Sequence, residues 1–303
     1  MTSTSLHPVH VHTWDWNGYS IRYQQAGTSG AAIVLIHGFG ASSDHWRKTI
    51  PVLAETNRVY AIDLLGFGLS EKPSPSHTVQ YTFDTWGDQV AAFVQTVVGQ
   101  PAFLVGNSIG CIVALQTAVI APDRIQGVVM INCSLRLLHD RKRATLPWYR
   151  RWSAPVMQKV LTNRAIGHYF FSQLAKPKVI RNILLQAYAR ADAVTDELVD
   201  FLYQPALDTG AADVFLAFTG YSQGPLAEDL LPQMQCPVLV LWGEDDPWEP
   251  IDLGRAFAEF PVVEEFIALP NAGHCPQDEA PELVNPILQR WINRVAGDRV
   301  RDE

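Results

Sequence analysis

The chain has 303 residues, 48% of them hydrophobic and 18% charged, a balance that fits a folded globular protein and excludes a disordered one. A net charge of −8 argues against a nucleic-acid partner, which needs a concentrated basic face. The best basic run, Arg141 to Arg143 with Arg150 and Arg151, is short and reads as a solvated face, with contact to anionic lipid headgroups as the alternative.

Met1 to Trp16 holds no cationic stretch followed by an apolar one, and no apolar run reaches the ~18–20 residues of a membrane-spanning helix. The four cysteines, Cys111, Cys133, Cys236 and Cys275, show no C-x-x-C spacing, and the nine histidines form no metal-ligand grouping. The expectation is a cytoplasmic protein with free thiols, without metal or cofactor. Peripheral membrane attachment stays open.

In chain order, Val9–Trp16 and Tyr19–Gln25 flank Asn17-Gly18 and read as a hairpin of edge strands. Ala32–Ile36 is wholly apolar and reads as a buried strand, followed by Val59–Ile62, Phe103–Val105 and Val128–Ile131. Helical segments fall near His45–Ala54, Thr85–Val98 and Cys111–Ile120. The alternation then stops: Leu135 to about Gln233 shows only helical stretches, rich in aromatics and arginine and broken by prolines. Strand Val238–Trp242, a helix near Leu253–Phe260, strand Val263–Ala268 and a helix Pro281–Arg294 close the chain. Strands alternating with helices predict an α/β fold with a mostly parallel sheet flanked by helices. A segment of roughly a hundred residues is too long for structureless coil, so it reads as an inserted helical lid. The predicted organisation is core over residues 1–134, lid over 135–232 and core again over 233–303.

The chemistry sits at strand ends. Gly106-Asn107-Ser108-Ile109-Gly110 follows a predicted strand and precedes a helix, so the two glycines permit a turn sharp enough to project the Ser108 hydroxyl from the sheet edge. A serine hydroxyl needs a base to take its proton, and His274, between Gly273 and Cys275-Pro276 just after the last strand, is placed to supply it. His139 and His168 lie in the lid and His10 and His12 on an edge strand, where packing or surface roles suffice. An acid to orient the base is expected after Val238–Trp242, where Glu244, Asp245 and Asp246 stand in a row. His37-Gly38-Phe39-Gly40 follows the first buried strand and fits an oxyanion hole, with the Phe39 and Ile109 amides as donors and His37 as a structural residue. The loop Asp63 to Ser70 lies at the same sheet end and shapes, or also lines, the entrance.

Together these residues resemble the lid-bearing α/β-hydrolase fold, which includes epoxide hydrolases, haloalkane dehalogenases and many esterases. The resemblance implies the order serine, acid, histidine, and an acid third after Gly243, which is Asp246, with Asp245 as second choice. Epoxide hydrolases and dehalogenases carry an aspartate at the elbow, so Ser108 points to acyl transfer. The stretches Gly243 to Arg255 and Leu269 to Glu279, with Pro281, Val284-Asn285-Pro286 and the serine elbow, resemble the chlorophyll dephytylase and pheophytinase-like branch of plants and cyanobacteria. That likeness implies hydrolysis of the phytyl ester of chlorophyll or pheophytin, next to photosynthetic membranes. Such a site should be broad and apolar. The candidate contacts are Trp148, Phe170, Phe171, Phe215, Phe218 and Trp248, with packing of lid against core as the plain alternative. Other reactions share the same catalytic groups, namely small-ester, thioester and C–C bond hydrolysis and perhydrolysis, and so does a non-catalytic binding scaffold.

Overall fold

The computed structural model describes residues 7–142 and 163–302, with side chains as far as Asp298. Among these residues, strands β1 (His10–Trp16), β2 (Tyr19–Ala26), β3 (Ala32–Ile36), β4 (Arg58–Ile62), β5 (Ala102–Asn107), β6 (Ile125–Ile131), β7 (Val238–Gly243) and β8 (Val263–Leu269) form one sheet. Their order is β1-β2-β4-β3-β5-β6-β7-β8. The two ladders made by β2 are antiparallel and the others parallel. The longer helices are α1 (Phe83–Phe93), α2 (Ile109–Ile120), α3 (Arg164–Leu174), α4 (Pro177–Ala187), α5 (Asp196–Ala206), α6 (Ala211–Thr219) and α7 (Pro281–Asp302).

Strand chemistry explains this arrangement. Asn17 and Gly18 both take positive φ, 54° and 85°, the two-residue turn whose twist matches a hairpin. The central strands are buried on both faces and divide their residues by parity. Val34, Leu104, Met130 and Val240 enter one core layer with Trp86 and Phe93 of α1 and Ile112 of α2. Ile33, Phe103, Val129 and Leu241 enter the other with Trp46 and with Trp291 of α7. Each fully buried Ile, Leu or Phe contributes about 1.5–3 kcal/mol, so these doubly covered strands carry much of the folding free energy.

Several helices depart from expectation, among them residues 85–98, where the α-helix ends at Phe93 and a π turn, Val94–Val98, completes the segment. Residues 45–54 divide into a 3-10 turn, Ser43–Trp46, and one α turn, Ile50–Leu53, because Pro51 has no N–H with which to continue a helix. Residues 253–260 divide likewise, into Ile251–Gly254 and Arg255–Glu259. Helix α2 starts at Ile109, directly after Ser108, without an intervening loop. No helix among the described residues is long and apolar enough to cross a membrane.

The chain steps from β3 outward to β4, then returns to lay β5 on the other side of β3. At that reversal the connections leave in opposite directions, and a crevice opens beyond the carboxyl ends of β3 and β5. Helices α3 to α6 follow β6 and precede β7. The crevice requires close backbone passage: a Cβ on Gly110 would lie 2.4 Å from the Ile36 carbonyl oxygen. Ala normally favours a helix over Gly by about 0.5–1 kcal/mol. Here overpacking against backbone, about 1–3 kcal/mol, outweighs that gain. Gly110→Ala should therefore lower the urea midpoint, whereas Gly297→Ala in α7, with nothing within 4 Å of the added carbon, should raise it.

Candidate active site

Ser108 occupies the junction of β5 and α2 with φ 56° and ψ −120°, a conformation that non-glycine residues rarely adopt. Surrounding backbone fixes it there. The Ser108 N–H donates to Ile131 O at 3.0 Å, and its carbonyl accepts from Cys111 N at 3.1 Å and Ser134 N at 3.2 Å. Neighbouring glycines leave room for no more: a Cβ on Gly106 would meet the Gly110 carbonyl at 2.4 Å, and one on Gly38 would meet the Ser108 Cβ at 3.2 Å. Such strain persists only where the surroundings over-determine it, and it aims the hydroxyl at the crevice.

His274 lies in the loop after β8. Its backbone N–H donates to Ala187 O at the end of α4, at 2.8 Å, and its carbonyl accepts from Asn107 Nδ2 at 3.1 Å. Its Nδ1 faces Asp246 Oδ2 at 2.8 Å, with both side chains buried. Asp246 has every direction filled: Oδ2 also accepts from Asn132 Nδ2 at 2.7 Å, while Oδ1 accepts from the N–H groups of Trp248 at 2.9 Å and Glu249 at 3.1 Å. Burial pushes the Asp246 carboxyl up, but the bonds from His274, Asn132 and Glu249 outweigh it and hold the group below its ordinary value. Asp246 is thus an ionised acceptor, so Nδ1 of His274 donates to it. Asp245 is exposed and its N–H serves Ala272 O at 3.0 Å, so between the two candidates the carboxylate on the imidazole is Asp246.

Ser108, His274, Phe39 and Ile109 line one cavity of about 460 Å³. Ile109 is the first residue of α2, so its N–H has no partner within the helix. Among the described residues neither this N–H nor that of Phe39 is spent on an acceptor. His37 is fully occupied: Nε2 accepts from Leu64 N at 3.1 Å and Nδ1 bonds Gly38 O at 2.7 Å. Burial lowers its pKa, so it stays neutral and holds the loop. The loop from Asp63 is pinned by that carboxylate, which accepts from Ser43 N at 2.6 Å and Leu69 N at 2.8 Å, and it brings Gly66, Phe67 and Gly68 into the cavity wall.

The apolar contacts sort unevenly. Phe171, Phe215, Phe218 and Trp248 line the cavity, and Trp248 also lies 5.0 Å from the His274 ring. Phe170 does not: it is 38% exposed and meets Phe215 from outside, because adjacent residues on a helix point about 100° apart. Trp148 lies outside the described residues, as do Arg143, Arg150 and Arg151 of the basic run. Arg141 and Lys142 of that run pair with Asp229 and Glu228, both at 2.8 and 2.7 Å respectively.

Sequence reasoning missed four groups here. Asn132, at φ 46°, ties Asp246, Gly273 O and Gly243 N together, and Asn107 holds the histidine loop. Lys72 and Glu249 both line the cavity. Asn107 stood inside the serine elbow and Glu249 inside the stretch Gly243 to Arg255, but nothing in either motif gave the residue a role.

Residues 33–287 match the alpha/beta hydrolase family. The chain belongs to that family. As an alpha/beta hydrolase it is 29% identical to the chloroplastic pheophytinase of Arabidopsis thaliana over 91% of its own length, while covering 64% of that protein. It is 25% identical to the 2-hydroxy-6-oxo-6-(2'-aminophenyl)hexa-2,4-dienoic acid hydrolase of Metapseudomonas resinovorans, over 88% of this chain and 84% of that one. A solved epoxide hydrolase superposes with TM-score 0.77 at 22% identity, covering 95% of this chain and 100% of the other, a likeness of fold. The hydrolase family and its mostly parallel sheet agree with the resemblance drawn from the motifs.

Asn132 offers a direct check on how the site is held. Asn132→Ala leaves buried Gly243 N without its acceptor and Asp246 Oδ2 short of a donor. Each such loss costs about 1–3 kcal/mol, and chemical denaturation should show a drop of that order.

Proposed function

We propose that this hydrolase is a serine-dependent carboxylic ester hydrolase working through an acyl-enzyme. One observation carries the reading: a serine held at a strained strand-to-helix junction shares a cavity with an imidazole whose far nitrogen is bonded to a buried, ionised carboxylate. Ser108 Oγ attacks the ester carbonyl carbon while His274 Nε2 takes its proton. Asp246 stabilises the imidazolium without taking the proton. The Phe39 and Ile109 amides receive the oxyanion, a contribution of about 3–4 kcal/mol for each donor. Collapse expels the alcohol with the proton from His274, and water repeats the sequence to free the acid and restore the serine.

The substrate proposed is an uncharged ester with a large apolar part, and the phytyl ester of a chlorophyll-type pigment is the favoured case. Support comes from the pheophytinase similarity and from the cavity wall built by Phe171, Leu174, Phe215 and Phe218 of the helices between β6 and β7. Those helices serve as the lid, within an organisation of core, lid over residues 135–232, and core. A pigment ester dissolves in membranes, so the reading carries peripheral contact with a photosynthetic membrane.

A second reading, cleavage of a carbon–carbon bond in a dienoic acid, has support from the Metapseudomonas resinovorans relative. An anionic substrate would need a cation in the cavity. Lys72 is the one Lys or Arg among the described lining residues, and its ammonium is spent on Gly68 O and Asp208 Oδ2, each at 2.7 Å, and on Ser70 O at 3.2 Å. Ester hydrolysis is therefore preferred.

Ser108→Ala should abolish release of phytol from pheophytin a and turnover of p-nitrophenyl butyrate alike, and should end labelling by a fluorophosphonate probe. Full activity in that variant would defeat the reading. Asp246→Asn should keep the fold and lower kcat by about 10⁴, since the imidazole is then held in the wrong tautomer; steady-state kinetics measures it.

A further inference from the structure

Beside His274 the cavity wall carries a carboxyl that the ester mechanism leaves unused. Glu249 reaches from the loop after β7 to the chain leaving β6. Its Oε1 accepts from Ser134 Oγ and its Oε2 from Leu135 N, each at 3.0 Å. Its own N–H clips Asp246 Oδ1 at 3.1 Å, and its carbonyl accepts from Trp242 Nε1 at 2.9 Å. The side chain is thus fixed at both ends, with Ser134 and Glu249 both on the cavity surface.

Among the described residues no Lys or Arg of the cavity wall pairs with it. The ammonium of Lys72 is occupied as described above. His45, also in the wall, bonds the Tyr188 hydroxyl at 2.8 Å and is pushed by burial down to about 4, so it is uncharged near neutrality. We propose that Glu249 is a specificity-determining residue, a carboxyl held in place that, when ionised, bars anionic acyl groups from the cavity and drives out the carboxylate product. This rests on the ester reading and deepens it. A second anion entering beside Glu249 would lose its hydration and meet repulsion in a poorly screened space. An ester carries no such charge. The acid freed by its hydrolysis does, so substrate is admitted and product is repelled by the same group.

The charge filter has a pH signature. Burial raises the Glu249 carboxyl to about 7, against lowering by the Leu135 N–H, by His274 and by the Ser134 hydroxyl, with Asp246 adding to the rise. Among the described residues the other titratable groups nearby are Cys133, whose thiol burial keeps protonated, and Glu228, which pairs at 2.7 Å with Lys142, the residue that holds the Leu135 carbonyl at 2.8 Å. Below about 7 the group is neutral and the filter relaxes; above it the charge is present and discrimination grows.

Two p-nitrophenyl esters test this, the butyrate and the monoester of glutaric acid, which differ by a terminal carboxylate. For the unaltered protein, kcat/KM at pH 8 should favour the butyrate by about tenfold or more, and the ratio should shrink at pH 6. In Glu249→Gln the ratio should fall severalfold at pH 8 and lose its pH dependence. An equal ratio at both pH values in the unaltered protein, or an unchanged ratio in the variant, overturns the proposal. Calorimetric binding of dimethyl and monomethyl glutarate to Ser108→Ala, with and without Glu249→Gln, reads the same filter without turnover. If neither p-nitrophenyl ester is hydrolysed the ester reading fails, while the binding pair still decides the charge filter.

Discussion

The close approach of three backbone segments at the carboxyl ends of β3 and β5 governs the rest of the molecule. Gly110 passes Ile36 O, Gly106 passes Gly110, and Gly38 meets Ser108, each at a separation that a methyl group would violate or strain. Only a parallel pair of neighbouring strands whose connections diverge can bring two loops together this way. The same contact forces the rare φ of Ser108 and starts α2 at the next residue, which leaves the Ile109 amide pointing outward. Sheet topology, serine geometry and free amides thus have one cause.

The helices between β6 and β7 are joined to this centre by polar contacts as well as packing. Glu279 accepts from Gly273 N and from Ala189 N, each at 2.8 Å, and the Tyr188 hydroxyl bonds Asp278 at 2.9 Å. Asp278 is itself paired with Arg47 at 2.7 Å. The residues after His274 therefore clamp the end of α4 against the core. Any movement of α4 pulls on the loop that carries the imidazole, so access to the cavity and alignment of His274 are mechanically linked.

Much of this was legible in the sequence, for identifiable reasons. Strands covered on both faces leave continuous apolar runs, so β3 and β7 could be placed nearly to their ends, whereas β5 and β6 run two to three residues beyond the apolar runs that mark them. Ser108 and His274 announce themselves because the required turns demand glycine beside them. What stayed hidden depends on partners distant in the chain. Asn132 meets Asp246 across 114 positions, and nothing near either residue signals the pairing. The choice between Phe170 and Phe171 turns on helix phase against the core, which an aromatic-rich segment does not reveal by itself.

Asp246 and Glu249 show how far surroundings decide what a carboxyl does. They share one loop and lie three residues apart, and Glu249 N donates to Asp246. Asp246 collects four donors, among them the imidazole, and is held ionised. Glu249 collects one hydroxyl and one amide, too few to offset its burial, and is drawn up to about 7. Two like charges this near oppose each other, so donors given to the first make ionisation of the second harder. A loop that secures a permanent anion behind the imidazole thereby leaves a reluctant, titratable one in the cavity wall. The difference in donor count separates the carboxylate bonded to the imidazole from the carboxyl left to titrate in the cavity wall.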